Sequence, residues 1–255
     1  MALLESQIAV VTGAGSGIGA AIAKGFASEG ARVVALDINE AAAVQTAHEI
    51  ADAGGHSAAY ALDVADFDAC EELAEEIAHK VGHVSILVNN AGIVRRSGMT
   101  GAPEAVVADW QEIIAVNLNG VFNVTHAFLE PLRTARGRII NIGSIQSEVH
   151  VVTPSSPAYT ASKHGVLGFT RALAAELGKD GVRVNAIGPG FIATPLNAQA
   201  RANNPELVKT FMAHTPLGRP GTAEDIVGPA IFLASELSAY VTGHIMMVDG
   251  GYRTL

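Results

Sequence analysis

Short, almost continuously apolar runs alternate along this chain with longer stretches whose apolar residues recur every three or four positions. The runs "QIAVVTG", "ARVVALD", "HSAAYALDV", "VSILVNNAG", "GRIINIGS", "VRVNAIGPG" and "GHIMMVDGG" predict strands. Between them, "GIGAAIAKGFASEG", "NEAAAVQTAHEIADAGG" and "DFDACEELAEEIAHKVG" predict helices, each stopped by glycine. Residues 103–133 read as one long helical stretch with Pro103 suited to its first turn. "AEDIVGPAIFLAS" predicts another helix, and the segment at about 191–215 a mobile helical lid. Strands apolar throughout are buried on both faces. Strict alternation of strand and helix therefore predicts an α/β fold: a Rossmann-like, doubly wound, seven-stranded and mostly parallel sheet with helices on both faces. No linker or repeat interrupts it, so residues 1–255 are expected to form a single domain.

Such a sheet binds ligands beyond the carboxyl ends of its strands. "TGAGSGIG", "ALDI", "NNAG", "NIGS" and "GPG" all fall at those ends, so distant segments converge on one crevice. In the first of them, glycines let the backbone turn sharply and approach a phosphate, and the helix that follows offers free N–H groups. The spacing T-G-x-x-x-G-x-G uses Thr12, Gly13, Gly17 and Gly19, with Ser16 and Ile18 between them. Asp37 ends the next strand, where an acid bonds the ribose hydroxyls of NAD and repels a 2′-phosphate. Ile38 and Asn39 follow it, not a basic residue, which favours NAD over NADP; capping of the next helix is the other role open to Asp37. Asp63 and Val64 hold the adenine or cap a helix, with nothing in the sequence to choose between them.

Composition narrows the partners. The net charge of −9 and the lack of a basic run argue against nucleic acid or an anionic membrane surface. No window reaches the length of a membrane span, and no basic start precedes an apolar leader, so a soluble cytoplasmic protein is expected. Cys70 is the only cysteine and the histidines show no ligand spacing, so no metal is expected.

"SPAYTASKHG" places Tyr159 and Lys163 one helical turn apart on one face. An ammonium there would favour phenolate and let the tyrosine trade a proton near neutral pH. His164 points elsewhere on the same helix and is read as structural. Together with the glycine loop, Asp37, Asp63-Val64, the Asn89-Asn90-Ala91-Gly92 run, Asn117, Ser144 and Pro189-Gly190 with Thr194, this pattern resembles the short-chain dehydrogenases/reductases in their compact form, over essentially the whole chain.

The resemblance implies NAD-dependent interconversion of a secondary alcohol and a ketone. Tyr159 would be the acid/base, and Ser144 would hydrogen-bond the substrate oxygen. Lys163 would lower the Tyr159 pKa and hold the nicotinamide ribose. Asn117 would mark a helix kink whose carbonyl keeps a relay water. Asn90, Ala91 and Gly92 would line the cofactor, with Pro189, Gly190, Ile192 and Thr194 beside the nicotinamide. It also implies a homotetramer and a small-molecule substrate. "NNAGIVRR" and "NIGSIQS" resemble sugar-acid dehydrogenases such as those of gluconate and deoxy-ketogluconate. Arg95 and Arg96 could then grip a carboxylate, or be solvated surface residues. Gln146, Glu148 and His150 bond sugar hydroxyls or face water, and Asn197, Gln199 or Arg201 could reach in from the lid. The apolar "VHVVTP" also permits hydrophobic or cyclic ketones. A regulator that binds cofactor without catalysis is the remaining alternative.

Overall fold

The first strand, β1 (Ile8–Thr12), sits mid-sheet with its apolar side chains covered on both faces, in a computed structural model that describes residues 2–151 and 156–254. After it the chain runs through α1 (Gly17–Ser28), β2 (Arg32–Asp37), α2 (Glu40–Asp52), β3 (His56–Ala61), α3 (Phe67–Lys80) and β4 (Ile86–Asn89). It continues through α4 (Pro103–Ile114), α5 (Gly120–Ala127), α6 (Leu129–Ala135), β5 (Arg138–Ile142), α7 (Pro157–Leu177) and β6 (Arg183–Pro189). The last elements are α8 (Ala198–Asn203), α9 (Pro205–Ala213), α10 (Glu224–Ala234) and β7 (Ile245–Val248).

The strands order as β3-β2-β1-β4-β5-β6-β7 and every pairing is parallel. Successive strands step outward from β1 to β3, then return to β4 and step out the other way. The reversal between β1 and β4 opens the crevice at their carboxyl ends. Alternate strand residues feed opposite cores. Ala9 and Val11 pack with Ile22, Phe26, Ile50, Ile226 and Leu233 under α1, α2 and α10. Val10 and Leu87 pack with Leu73, Ile77, Val124 and Leu177 under α3, α5 and α7. No helix of the described residues is long and apolar enough to cross a membrane.

One expectation fails. The stretch 103–133 is not one helix: a π turn at Ala115–Asn119 separates α4 from α5, and a break at Phe128 separates α5 from α6. The π turn carries Asn117, whose side chain is bonded outside the helix. Right after it, Gly120 meets the β3–α3 loop so closely that a Cβ there would lie 2.6 Å from Val64 Cγ2. The apolar periodicity of the segment carries no trace of either contact. Helix α10 forms as expected, despite Pro229 within it.

Phe26 is fully buried between α1 and the sheet. Phe26→Ala is expected to cost about 3–5 kcal/mol and lower Tm by roughly 10 °C. Differential scanning calorimetry checks it; an unchanged Tm would show that α1 does not carry this half of the core.

Candidate active site

The crevice at the β1/β4 reversal is a cavity of about 290 Å³. Its first half is built by the glycine loop. Gly13 and Gly17 have φ of 62° and 54°, where a side chain is strained. A Cβ on Gly15 would lie 2.8 Å from the Asp37 carboxylate. Ser16, the N-cap of α1, makes no capping bond, so the first N–H groups of the helix stay open toward the cavity. Asp37 faces the same space; its Oδ2 accepts from Gly15 N–H and its Oδ1 from Asn39 N–H, both at 2.9 Å. A glycine cradle at a helix N-terminus with a carboxylate beside it fits the pyrophosphate and ribose of a dinucleotide. Ile38 points outward, 73% exposed, and does not line the cavity.

The second half holds the reactive groups. Ser144 caps a short 3₁₀ turn (Ile145–Ser147), with its Oγ accepting from Gln146 N–H at 3.1 Å. That bond fixes the hydroxyl oxygen and leaves its proton to donate toward the Tyr159 phenol. Tyr159 and Lys163 come from the first turns of α7 and line the same wall. Lys163 is buried and donates to Ile142 C=O at 2.7 Å; its Nζ lies 5.7 Å from the centre of the Tyr159 ring. Burial raises the Tyr159 pKa; Ser144 and then the Arg96 charge pull it partly back. Burial brings Lys163 down to about 8. Lys163 is not among the groups that move the Tyr159 phenol here. Desolvation outweighs the charges around the phenol, and Lys163 gives one of its N–H donors to Ile142.

Asn117 acts on this wall through the backbone. Its Oδ1 accepts from Ile93 N–H at 2.8 Å and its Nδ2 donates to Ile93 C=O at 2.9 Å. Nδ2 also approaches Ser162 Oγ at 3.4 Å, and Ser162 in turn donates to the Tyr159 carbonyl. Asn117 thus ties the loop after β4 to α7.

Ser16, Gly17, Ile18, Asn90, Ala91 and Gly92 line the cavity. So do Pro189, Gly190, Ile192 and Thr194 on its far side. Thr12, Gly19, Asp63 and Val64 do not line it. The Thr12 hydroxyl is spent on the backbone of Asn90 and Ala91, and Asp63 caps its own loop through Ala65 N–H. Gly19 serves close packing: a Cβ would lie 2.2 Å from Gly13 O.

Of the residues expected to meet a substrate, Arg96 and Gln146 line the cavity, whereas Arg95, Glu148 and His150 do not. Arg95 is held by Glu112 through Nε and Nη2 at 3.0 and 2.7 Å. Glu148 pairs with Arg253 and lies 3.6 Å from Arg171. His150 is exposed. Of the lid residues, Asn197 lines the cavity while Arg201 folds back onto Asn197 Oδ1 at 2.8 Å; Gln199 stays outside. The last three residues of the "VHVVTP" stretch, 152–154, lie outside the described residues. Sequence reasoning missed Phe191 and Phe211, which stack at 4.7 Å and line the cavity. Phe191 directly follows "GPG", and Phe211 repeats Leu207 at i+4; those were the available signals.

The chain matches, over residues 13–253, a family model described as enoyl-(acyl carrier protein) reductase. It is 42% identical to galactitol 2-dehydrogenase (L-tagatose-forming) of Cereibacter sphaeroides, over 98% of this chain and 96% of that protein. It is 39% identical to the 3-oxoacyl-(acyl-carrier-protein) reductase of Thermotoga maritima, over 97% and 98% of the two chains. The crystal structure of a gluconate 5-dehydrogenase from Burkholderia cenocepacia, in complex with NADP and tartrate, matches with a TM-score of 0.92 at 36% identity, covering 99% of this chain and 97% of that one.

Because Lys163 is near 8 in the folded protein against about 10.4 for a free lysine, its buried charge costs stability below pH 8, and that cost fades as pH rises toward the free value. Replacing it by an uncharged residue removes this dependence. The Tm difference between Lys163→Met and wild type is therefore expected to shift toward wild type between pH 7 and pH 10. A difference independent of pH would show that Lys163 titrates normally.

Proposed function

The chain belongs to the short-chain dehydrogenase/reductase family, and on that premise we propose that it is an NAD-dependent dehydrogenase interconverting a secondary alcohol and a ketone, its substrate a sugar acid, sugar or polyol. The observation that carries this reading is the placing of Ser144, Tyr159 and Lys163 on one wall of a cavity whose other wall is the glycine loop and Asp37. When bound, the nicotinamide dinucleotide supplies the acceptor or donor of hydride.

The rest of the chemistry belongs to side chains. Ser144 turns its hydroxyl proton from the phenol to the substrate oxygen and fixes that oxygen beside Tyr159. In oxidation Tyr159 acts as the phenolate and takes the hydroxyl proton; in reduction it acts as the phenol and gives that proton back. Lys163, with one N–H on Ile142, has two donors left for a ribose hydroxyl and for the field at the phenol. Asn117, in its π turn, holds the relay water through its carbonyl and keeps α7 in register. Asp37 favours NAD, since no cation follows it to neutralise a 2′-phosphate. The Burkholderia relative was crystallised with NADP, which makes the cofactor ratio the first thing to measure.

Arg96 supports an acidic substrate. It lines the cavity beside Tyr159, and among the described residues no carboxylate pairs with it. A carboxylate held there would meet a bidentate donor. A second reading, reduction of an apolar or cyclic ketone, is favoured by the buried Ile145, Val151, Leu207 and Phe211 at the lid end. We hold the protein to be a homotetramer of the family type; the exposed Phe67 and Phe122, 6.5 Å apart on α3 and α5, support a face for a second copy.

The test is reduced-cofactor formation across sugar acids, polyols and cyclic alcohols, with NAD and NADP in parallel. Turnover of a hydroxylated substrate with NAD is expected; turnover of apolar alcohols alone would select the second reading. Asp37→Ala is expected to narrow the preference for NAD, and an unchanged ratio removes Asp37 from that role. Arg96→Ala is expected to raise KM for a hydroxy acid by about 10- to 100-fold, the loss of one charge-assisted contact, and to spare an uncharged polyol. Equal effects on both would defeat the carboxylate role.

A further inference from the structure

The residues after β7 touch both walls of the substrate end without entering the cavity. They form a turn bound to itself: Asp249 Oδ1 accepts from Gly251 N–H at 3.0 Å, and its Oδ2 accepts from Arg253 N–H at 3.1 Å. Gly250 and Gly251, at φ 64° and 86°, supply the left-handed backbone that this turn needs. On one side Arg253 pairs with Glu148, the residue that ends the Ser144–Ser147 turn. On the other, the Tyr252 ring lies 5.8 Å from Phe211 and 6.1 Å from His214, at the end of α9. Gly250 C=O also accepts from Leu217 N–H at 3.1 Å, just past the lid. The base of the lid is closed by the pairing of Ile192 with Gly221.

These contacts connect two walls that do not follow each other in sequence. Ser144, Ile145 and Gln146 line one side of the cavity, and Phe191 and Phe211 the other. Both sides lean on the same few residues. We propose that the segment 249–254 is a strut that sets the gap between the Ser144–Glu148 loop and α9, with Tyr252 and Arg253 as positioning residues that determine which substrates fit. The inference rests on the reading of this end of the cavity as the substrate site.

Chemistry separates the two halves of the strut. The Arg253–Glu148 pair is partly exposed, with side chains 32% and 22% accessible, so alone it contributes little stability. Its effect is placement: Arg171 on α7 shares the carboxylate, so the loop is pinned to the helix that carries Tyr159 as well as to the C-terminal turn. The aromatic half works by packing. Tyr252 backs Phe211, which stacks on Phe191. Removing either contact should loosen one wall and leave the glycine loop and Asp37, at the other end of the crevice, untouched.

The experiment compares Arg253→Ala, Tyr252→Ala and Arg253→Lys with the full-length wild type. Amide hydrogen exchange is read at residues 145–151 and 205–213, alongside steady-state kinetics and NADH binding by fluorescence. Arg253→Ala should speed exchange in 145–151, and Tyr252→Ala in 205–213. KM for the best alcohol found should rise by about fivefold in each, with kcat and the NADH Kd moving less than about twofold. Arg253→Lys, which keeps the charge, should restore most of the KM. Exchange unchanged in both segments would overturn the strut, as would a rise in the NADH Kd equal to the rise in KM. If wild type turns over none of the alcohols, the functional reading falls, and the exchange and NADH arms still decide the strut.

Discussion

At the reversal between β1 and β4 the two strand ends must part, and a clasp between Thr12 and Asn90 holds them in a defined shape. The Thr12 hydroxyl accepts from the N–H groups of Asn90 and Ala91, both at 3.0 Å, and the Asn90 amide donates to the carbonyls of Thr12 and Gly13 at 2.9 and 3.1 Å. These bonds satisfy backbone groups that the parting of the strands would leave buried and unpaired. They also fix where the glycine loop starts. From the same strand end the chain passes to Ile93, which Asn117 grips, and from Asn117 through Ser162 to the backbone of Tyr159. The glycine-loop end and the Tyr159 end of the crevice are thus referenced to one point in the sheet. Catalysis that depends on sub-ångström placement needs such a common reference.

The electrostatics of the cavity follow from burial as much as from charge. Lys163 and Tyr159 are both pushed toward their neutral forms by the walls around them. A phenol held protonated is ready to deliver a proton, and Ser144 and Arg96 keep it from drifting further upward.

How much of this was legible in the sequence depends on the kind of contact. Strand positions, the parallel order and the crevice follow from short apolar runs alternating with amphipathic ones, because burial on two faces leaves that pattern wherever it occurs. Glycines at 13 and 17 and the acid at 37 were legible because their backbone and charge requirements are local. The segment 103–133 misled because its periodicity continues through a π turn whose determinants lie outside it, Ile93 bonded by Asn117 and Val64 against Gly120. Arg95 and Glu148 misled for a related reason: each has a distant partner, Glu112 and Arg253, that nothing in local spacing announces. Thr12 carries a family motif position, yet the structure gives its hydroxyl to the clasp. Phe211 was overlooked because one aromatic on an amphipathic helix looks like any core residue until its neighbours are known.

The central claim is that Tyr159 moves the proton in a hydride transfer carried out in this cavity. Tyr159→Phe keeps the ring and removes only the phenol oxygen. Its turnover of an alcohol that wild type oxidises should be measured beside NADH binding to the same protein. The account predicts a fall of about 10²- to 10⁴-fold in turnover, the usual contribution of a positioned acid/base, with NADH still bound. Turnover close to wild type would contradict it and move the proton transfer to another residue.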